Sequence, residues 1–435
     1  MKKSILLQLN ESNFELIKSY SNLLDLKSFK KILSSWDSSF TTSEQKYNKL
    51  EPWIQWVSFY SGKNADDHGV FRLGDNNLHS ESQFFEKIIQ SGIKTGCVSP
   101  MNAGNLNENT EFYISDPWSN SIQKGSSLEV KVSESISKLV NENSSGLSFT
   151  NLFWFGVGIL LKGSFFSNFS TYIYLFFKSL RLSWYRAIFL DFFLANFHLN
   201  LHSKYKTTFS SVFLNCSAHI QHHYCLNSKI LENKTYKNPN WFISPEHDPL
   251  EDVYVIYDKI LSKYLNLEDH QIYIVTGLSQ RPHNKPVFYW RLKNHHNFID
   301  SLDITYTKIE PRMTRDFLIT FNSENDLINA KNILSKISDE DNKKMFDEID
   351  TRLSEKSLFV TLTYDEDIKD KIFSVKGKKM GLTDELVFVS LKNGEHDQKG
   401  YVFTNKKGIL NFDESSIWKI GDLIRDSIIR ESIER

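Results

Sequence analysis

Residues 5–9 are apolar apart from Gln8 and are bounded by Lys2 and Lys3 on one side and by Asn10 and Glu11 on the other. So short a run reads as a buried strand. It is also too short, and too soon interrupted by Gln8, Asn10 and Glu11, for the apolar region of a secretory signal. From 14 to 33 the apolar positions recur at helical spacing. A strand followed by a helix predicts a parallel sheet with crossover helices. The alternation continues with a short helix at 83–90, a strand at 95–99 after Ser91-Gly92, a strand at 208–215, an amphipathic helix at 252–265 and a buried strand at 271–275. Beyond 316 the rhythm changes. A segment at 316–321, a helix near 323–337 and a segment at 359–363 predict an α+β region, and the charged stretch 338–350 reads as a solvated helix or loop. The expected fold class is α/β, with a mostly parallel central sheet flanked by helices.

Residues 148–201 break the pattern. They are rich in Phe, Leu and Tyr, with Lys162, Lys178, Arg181, Arg186 and Asp191 spread among them. No uncharged run reaches the ~18–20 residues of a spanning helix, so about three apolar helices are expected. Two readings stand: a buried helical insertion packed on the sheet, or a lid or membrane-facing surface. The expected organisation is 1–150 as the first part of the α/β core, 151–205 as the insertion, 206–415 as the rest of the core with an α+β subregion near 316–385, and 416–435 as a C-terminal helix.

A formal charge of -1 gives no global attraction to polymeric nucleic acid. The three cysteines, Cys97, Cys216 and Cys225, form no CxxC pair. That argues against a disulfide framework and a thiolate zinc site, and suits a reducing compartment. A cytoplasmic location is expected, with peripheral contact to the inner membrane face through 151–200 as an option.

Candidate chemistry clusters where strands should end, the place where α/β sheets bind ligands. Asn10 and Glu11 follow the first strand; Glu11 is a candidate metal ligand or base, whereas Asn10 or Ser12 alone would serve as a helix cap. Glu51, Gln55 and Ser58 lie in the aromatic stretch that runs to His68-Gly69-Val70. His219, His222 and His223 follow the strand at 208–215 within five positions, and neutral imidazole is a common zinc ligand. Gln280 follows the strand at 271–275, His396 stands in Gly394-Glu395-His396, and Arg312 and Arg315 could clamp an anion or form an ordinary surface ion-pair cluster.

Taken in order, these blocks resemble the alkaline phosphatase superfamily, nearest its phosphodiesterase and nucleotide pyrophosphatase branch. Gln8 to Phe14 lies where that family has its first metal-binding strand end. Gln55-Trp56-Val57-Ser58-Phe59-Tyr60-Ser61-Gly62 and His68-Gly69-Val70 match its second block. Residues 218–222 stand for D-x-x-x-H, 276–279 for S-D-H-G, and Gly394-Glu395-His396 with Gly400-Tyr401-Val402-Phe403 for the last block. The resemblance implies an alkaline phosphatase-like fold and a phosphate or sulfate ester hydrolase or transferase. It also locates the departures. The family's metal aspartates fall on Asn10, Ala218 and Gly277, a third-block histidine falls on Leu278, and the nucleophilic threonine falls on Pro52 or, one residue earlier, Glu51. Only His222 and His396 remain.

The resemblance thus implies one divalent metal, zinc or manganese, held by His222, His396 and His219 or a carboxylate, or else no cofactor. Catalysis would fall to Glu11, Glu51 and Gln55, and substrate contact to Asn10, Ser58, Gln280, Arg312 and Arg315. The expected substrate is a small-molecule, glycan or lipid phosphoester. The alternative is a catalytically inactive binding or scaffolding protein on the same fold. Glu11, Gln55, His222 and His396 are expected to lie together.

Overall fold

The computed structural model describes residues 2–46, 49–78, 82–104, 109–119, 121–141, 149–231, 236–311, 315–369 and 371–433. Its centre is the strand Lys3–Leu9. Ile5, Leu7 and Leu9 point into one apolar layer, with Phe14, Ile17 and Tyr254. Leu6 points into the other, with Trp56, Phe59 and Ile424. Burying each such side chain contributes about 1.5–3 kcal/mol, and burial on both faces is why the strand is an apolar run rather than an alternation.

Eight strands form the main sheet. From one edge the order is Glu414–Ser416, Asp37–Thr42, Lys399–Thr404, His270–Val275, Lys3–Leu9, Phe209–Leu214, Thr95–Val98 and Phe112–Ile114. Lys399–Thr404 runs antiparallel to both neighbours, and the other pairings are parallel. The sheet is therefore mostly parallel with helices on both faces, as the α/β expectation required.

The apolar stretch at 14–33 is two helices, Phe14–Leu24 and Lys27–Ser35. Asp25 closes the first in a left-handed conformation, its N–H donating to the Ser21 carbonyl. The bend lets Phe14 and Ile17 of one helix and Phe29 and Ile32 of the other face the same core. The cap of the first helix is neither Asn10 nor Ser12 but Asn13, whose side chain accepts from the N–H groups of Glu15 and Leu16.

An antiparallel ribbon, Ser279–Leu292 paired with Leu386–Asp397, leaves the main sheet. It leads to a four-stranded antiparallel sheet in the order Glu348–Arg352, Ser357–Thr361, Asp316–Thr320, Lys308–Pro311. The apolar cluster of this unit runs from Phe288 to Leu391, so it reaches beyond 316–385. The charged stretch 338–350 holds no helix: it contains the short strand Ser338–Asp339 and the start of Glu348–Arg352. It is not simply solvated either, because Met345 and Phe346 are fully buried in the unit's core.

The insertion comprises Phe149–Lys162, Phe169–Arg181 and Tyr185–Tyr205. The third helix is core, with Phe192, Phe193 and Phe197 buried. The first two leave much of their apolar surface outside. The reading of a buried insertion packed on the sheet thus holds for the third helix, and the first two present an exposed apolar face.

Two features of the scaffold make measurable claims. The C-terminal helix Ile417–Ile433 lies on Pro52–Ser61. A Cβ on Gly421 would come 2.0 Å from the Phe59 carbonyl oxygen. Gly421→Ala is expected to lower unfolding free energy by about 1–3 kcal/mol in urea titration, whereas Gly408→Ala should not act through overpacking because nothing lies within 4 Å of that position. At the opposite end of the strands from Glu11, His198 and His202 share Ser210 Oγ at 2.9 and 2.8 Å, and His202 Nε2 meets His270 Nε2 at 3.1 Å. Burial lowers His202 to about 4. The unfolded chain then binds the extra proton first, so stability is full above about pH 6.5 and declines as pH falls toward 4. Urea midpoints at pH 7 and pH 5 should show that loss, and His202→Gln should reduce it.

Candidate active site

The chain turns sharply where the central strand ends. Ser12 N–H donates to the Leu9 carbonyl at 3.2 Å, and Glu11 N–H to the Thr276 carbonyl at 3.0 Å. Glu11 takes a left-handed φ of 54°, which costs a residue with a Cβ on the order of 1–2 kcal/mol. Its side chain is 2% exposed. A carboxylate so enclosed needs compensation, because desolvating an unpaired charge costs several kcal/mol.

The compensation comes from three distant segments. Glu11 Oε2 lies 3.1 Å from His222 Nε2 and 3.2 Å from His396 Nε2, and the two nitrogens are 3.2 Å apart. Gln280 Nε2 donates to the same Oε2. Asn10 Nδ2 donates to Oε1 at 3.0 Å. Asn10 is itself fixed: its Nδ2 also donates to Asn215 Oδ1 at 2.8 Å, and its Oδ1 accepts from Trp56 Nε1 at 2.8 Å. Gln221 Nε2 donates to the Glu11 carbonyl at 2.8 Å.

The secondary structure explains the convergence. His222 stands on the helix Cys216–Tyr224, which starts directly after the strand Phe209–Leu214. Asp191 braces the start of that helix, accepting from Cys216 N–H at 2.7 Å and from Tyr257 hydroxyl at 2.6 Å. Burial raises the Asp191 carboxyl to about 6. His396 and Gln280 are direct partners across the ribbon, so one cross-strand pair delivers both to Glu11.

The far side of each imidazole fixes its proton. His222 Nδ1 faces the Gly394 carbonyl at 3.3 Å, and His396 Nδ1 faces Glu51 Oε2 at 3.7 Å. The Gly394 carbonyl only accepts, so His222 Nδ1 carries hydrogen, and an ionised Glu51 favours hydrogen on His396 Nδ1. In neutral rings the Nε2 lone pairs then point at each other and at a carboxylate oxygen. Three converging lone pairs repel unless a cation or a proton lies among them. Burial would raise the Glu11 carboxyl, but His396 and His222 hold it well below its usual value. Burial opposes charge on His396 too, yet Glu11 and Glu51 carry it above the ordinary imidazole value. On His222 burial outweighs Glu11, and the ring is lowered.

The residues fit a divalent ion. Ligand atoms ~2.0–2.1 Å from one tetrahedral zinc stand about 3.3 Å apart, close to the separations here, and two imidazoles with one carboxylate are a recurrent catalytic zinc set. The outward Nδ1–H contacts are the usual outer supports of such ligands. Among the described residues this is the one such cluster of three.

No family model matches the chain, and no curated protein matches it. The fold is similar to solved structures. One is a phosphonoacetate hydrolase from Sinorhizobium meliloti 1021 in complex with phosphonoformate, at 9% identity, covering 98% of this chain and 96% of that one, with a TM-score of 0.46. Another is the murine ectonucleotide pyrophosphatase/phosphodiesterase 5, at 9% identity, 98% and 95% coverage and a TM-score of 0.40. A third is the alkaline phosphatase PafA, at 10% identity, 99% and 96% coverage and a TM-score of 0.49.

Of the residues singled out in the sequence, the structure brings Glu11, His222, His396, Asn10 and Gln280 together, with Glu51 beside them. The rest stand elsewhere. Gln55 is turned away: its Oε1 accepts from Glu44 N–H and its Nε2 donates to the Lys49 carbonyl, so it ties down a loop. Ser58 Oγ donates to the Ile54 carbonyl and meets His68 Nε2 at 3.0 Å. Since His68 Nδ1 accepts from Val70 N–H, Nε2 carries the proton, and His68 cannot act as a base on Ser58. His219 is exposed, three residues before His222, with its ring against His223. Arg315 stacks on Tyr289 at 4.3 Å in the second unit, and Arg312 lies outside the described residues. Sequence reasoning missed Gln221 and Lys392. Lys392 is close enough for its charge to bear on Glu51, His222 and His396.

These couplings predict a titration. In chelator-treated protein, Glu11→Gln should lower the pKa of His396, because burial stays and the larger of its two carboxylate partners goes. Long-range ¹H–¹⁵N spectra of the imidazoles would read it; an unchanged His396 would contradict the geometry.

Proposed function

We propose that this chain is a metal-dependent enzyme that hydrolyses or transfers a phosphate ester, the substrate being a small-molecule, glycan or lipid phosphoester. The observation that carries this reading is the convergence of Glu11 Oε2, His222 Nε2 and His396 Nε2 within 3.1–3.2 Å of one another. The sequence blocks that resemble the alkaline phosphatase superfamily support the choice of ester.

Glu11, His222 and His396 would hold one divalent ion, zinc or manganese. Such an ion supplies Lewis-acid polarisation of a phosphoryl oxygen and lowers the pKa of a bound water. The chain's own groups do the rest. Glu51 ends the loop before the helix Pro52–Ser61 and keeps a third of its side chain exposed, so it can meet a substrate. Burial raises its carboxyl above the ordinary value, against the pull of His396 and Lys392. A carboxylate tuned upward is suited to take a proton from an attacking water or acceptor hydroxyl. Pro52 offers no hydroxyl, so attack comes from outside the chain rather than through a phosphorylated residue. Lys392 would supply positive charge near Glu51 and the two imidazoles. Asn10 and Gln280 orient Glu11 and do not themselves need to touch substrate.

A second reading, a catalytically silent binding protein, is favoured by the absent nucleophilic hydroxyl. Two measurements separate the readings. Protein purified without chelator or affinity metal should contain near one zinc or manganese per chain by elemental mass spectrometry, and His222→Ala should lose it. Glu51→Gln should keep the metal and lose about 10²–10⁴-fold in kcat on a phosphodiester or sulfate ester found by screening. The acid limb of the wild-type pH profile should lie above the ordinary carboxylate range. Full metal with no turnover on any ester would leave the binding reading. No metal in wild type would end the metal-dependent one.

A further inference from the structure

The insertion's first two helices, Phe149–Lys162 and Phe169–Arg181, meet at 90°. Their outer face is apolar and open: Phe149 is 84% exposed, Phe166 85%, and Phe153, Leu161, Phe177 and Leu180 each more than half. Single exposed apolar residues are ordinary, but a contiguous set of this kind marks an interaction surface. Among the described residues no single helix is long and apolar enough to cross a membrane.

Charge distinguishes the possible occupants. Between residues 149 and 190 there is no Asp or Glu, while Lys162, Lys178, Arg181 and Arg186 are all cationic. Lys162 is matched by Glu129 at 3.0 Å. Lys178 lies over the rings of Tyr174 and Tyr185 at 5.6 and 5.5 Å, and Arg181 and Arg186 are exposed. An apolar segment whose own charges are all cationic, two of them exposed, is complementary to a surface that is apolar inside and anionic at its edge. Two copies of this face would bring like charges together.

We propose that this bent helical pair lies in the interface of an anionic phospholipid bilayer, its phenylalanines and leucines among the acyl chains and Arg181 and Arg186 at the headgroups. The pair is tied to the rest of the molecule through Tyr224. Trp184, just past the second helix, packs on Tyr224 with ring centroids 5.5 Å apart, and Ser183 Oγ meets the Tyr224 hydroxyl at 3.3 Å. Tyr224 ends the helix that carries His222, so docking would hold the candidate active site close to the membrane. The docking stands independently of the reaction proposed above.

The test is co-sedimentation of the full chain with vesicles of phosphatidylcholine alone and of phosphatidylcholine with phosphatidylglycerol, at low and high salt. Binding is expected to the anionic vesicles, weakened by salt. Phe166→Ser with Phe177→Ser should lower the partition coefficient at least about tenfold. Arg181→Glu with Arg186→Glu should lower it on anionic vesicles. Both pairs replace exposed side chains, and unchanged near-ultraviolet circular dichroism and thermal midpoint would show that the fold is kept. The proposal is overturned if wild type binds neither vesicle, or if the phenylalanine variant partitions like wild type. It is also overturned if sedimentation equilibrium shows a dimer that the phenylalanine variant breaks while vesicles capture neither protein.

Discussion

A carboxylate enclosed at the end of the central strand has to be neutralised, and much of this molecule's architecture meets that requirement. Glu11 is reached by His222 from one crossover and by His396 and Gln280 from the ribbon. Asn10, itself held by Asn215 and Trp56, fixes its other oxygen. These groups come from segments hundreds of positions apart, and they meet only when the sheet is complete. The candidate active site is thus built mainly from long-range contacts.

The ribbon does two things at once. Its root places Gln280 beside His396, and its far end carries the second unit with a separate apolar core. Lys392 stands between the two. The insertion has a similar double role. Its third helix contributes Asp191 to the start of the His222 helix, while its first two helices turn their aromatic faces outward. Each appendage is anchored at the candidate active site and extends away from it.

The parts of this arrangement legible in the sequence are those with a simple physical signature. The central strand showed as a short apolar run, and Glu11 showed as a carboxylate at a strand end. His222 showed within a cluster of three histidines after a strand, and the resemblance to a family singled it out together with His396. The ribbon did not emerge, because Pro282, Pro286 and scattered charges hide the strand Ser279–Leu292 and its partner lies about a hundred positions away. Asp37–Thr42 was missed because a strand reading DSSFTT has little apolar pattern. Gln55 and Ser58 looked like chemistry because they are polar among aromatics, yet their hydrogen bonds are spent on holding a loop and a helix turn. Gln221 was passed over between two histidines, although it grips the Glu11 backbone. Which way a polar side chain turns depends on partners that sequence spacing does not reveal.

Glu11 combines two unfavourable features, a left-handed backbone and a buried charge. A glycine there would relax the first, but it would strand the groups that answer the second: Asn10 and Gln280 would lose their acceptor and the two imidazoles the carboxylate between them. The strained backbone is therefore locked in by its surroundings, and the position resists replacement whether variants are selected for turnover or for heat resistance.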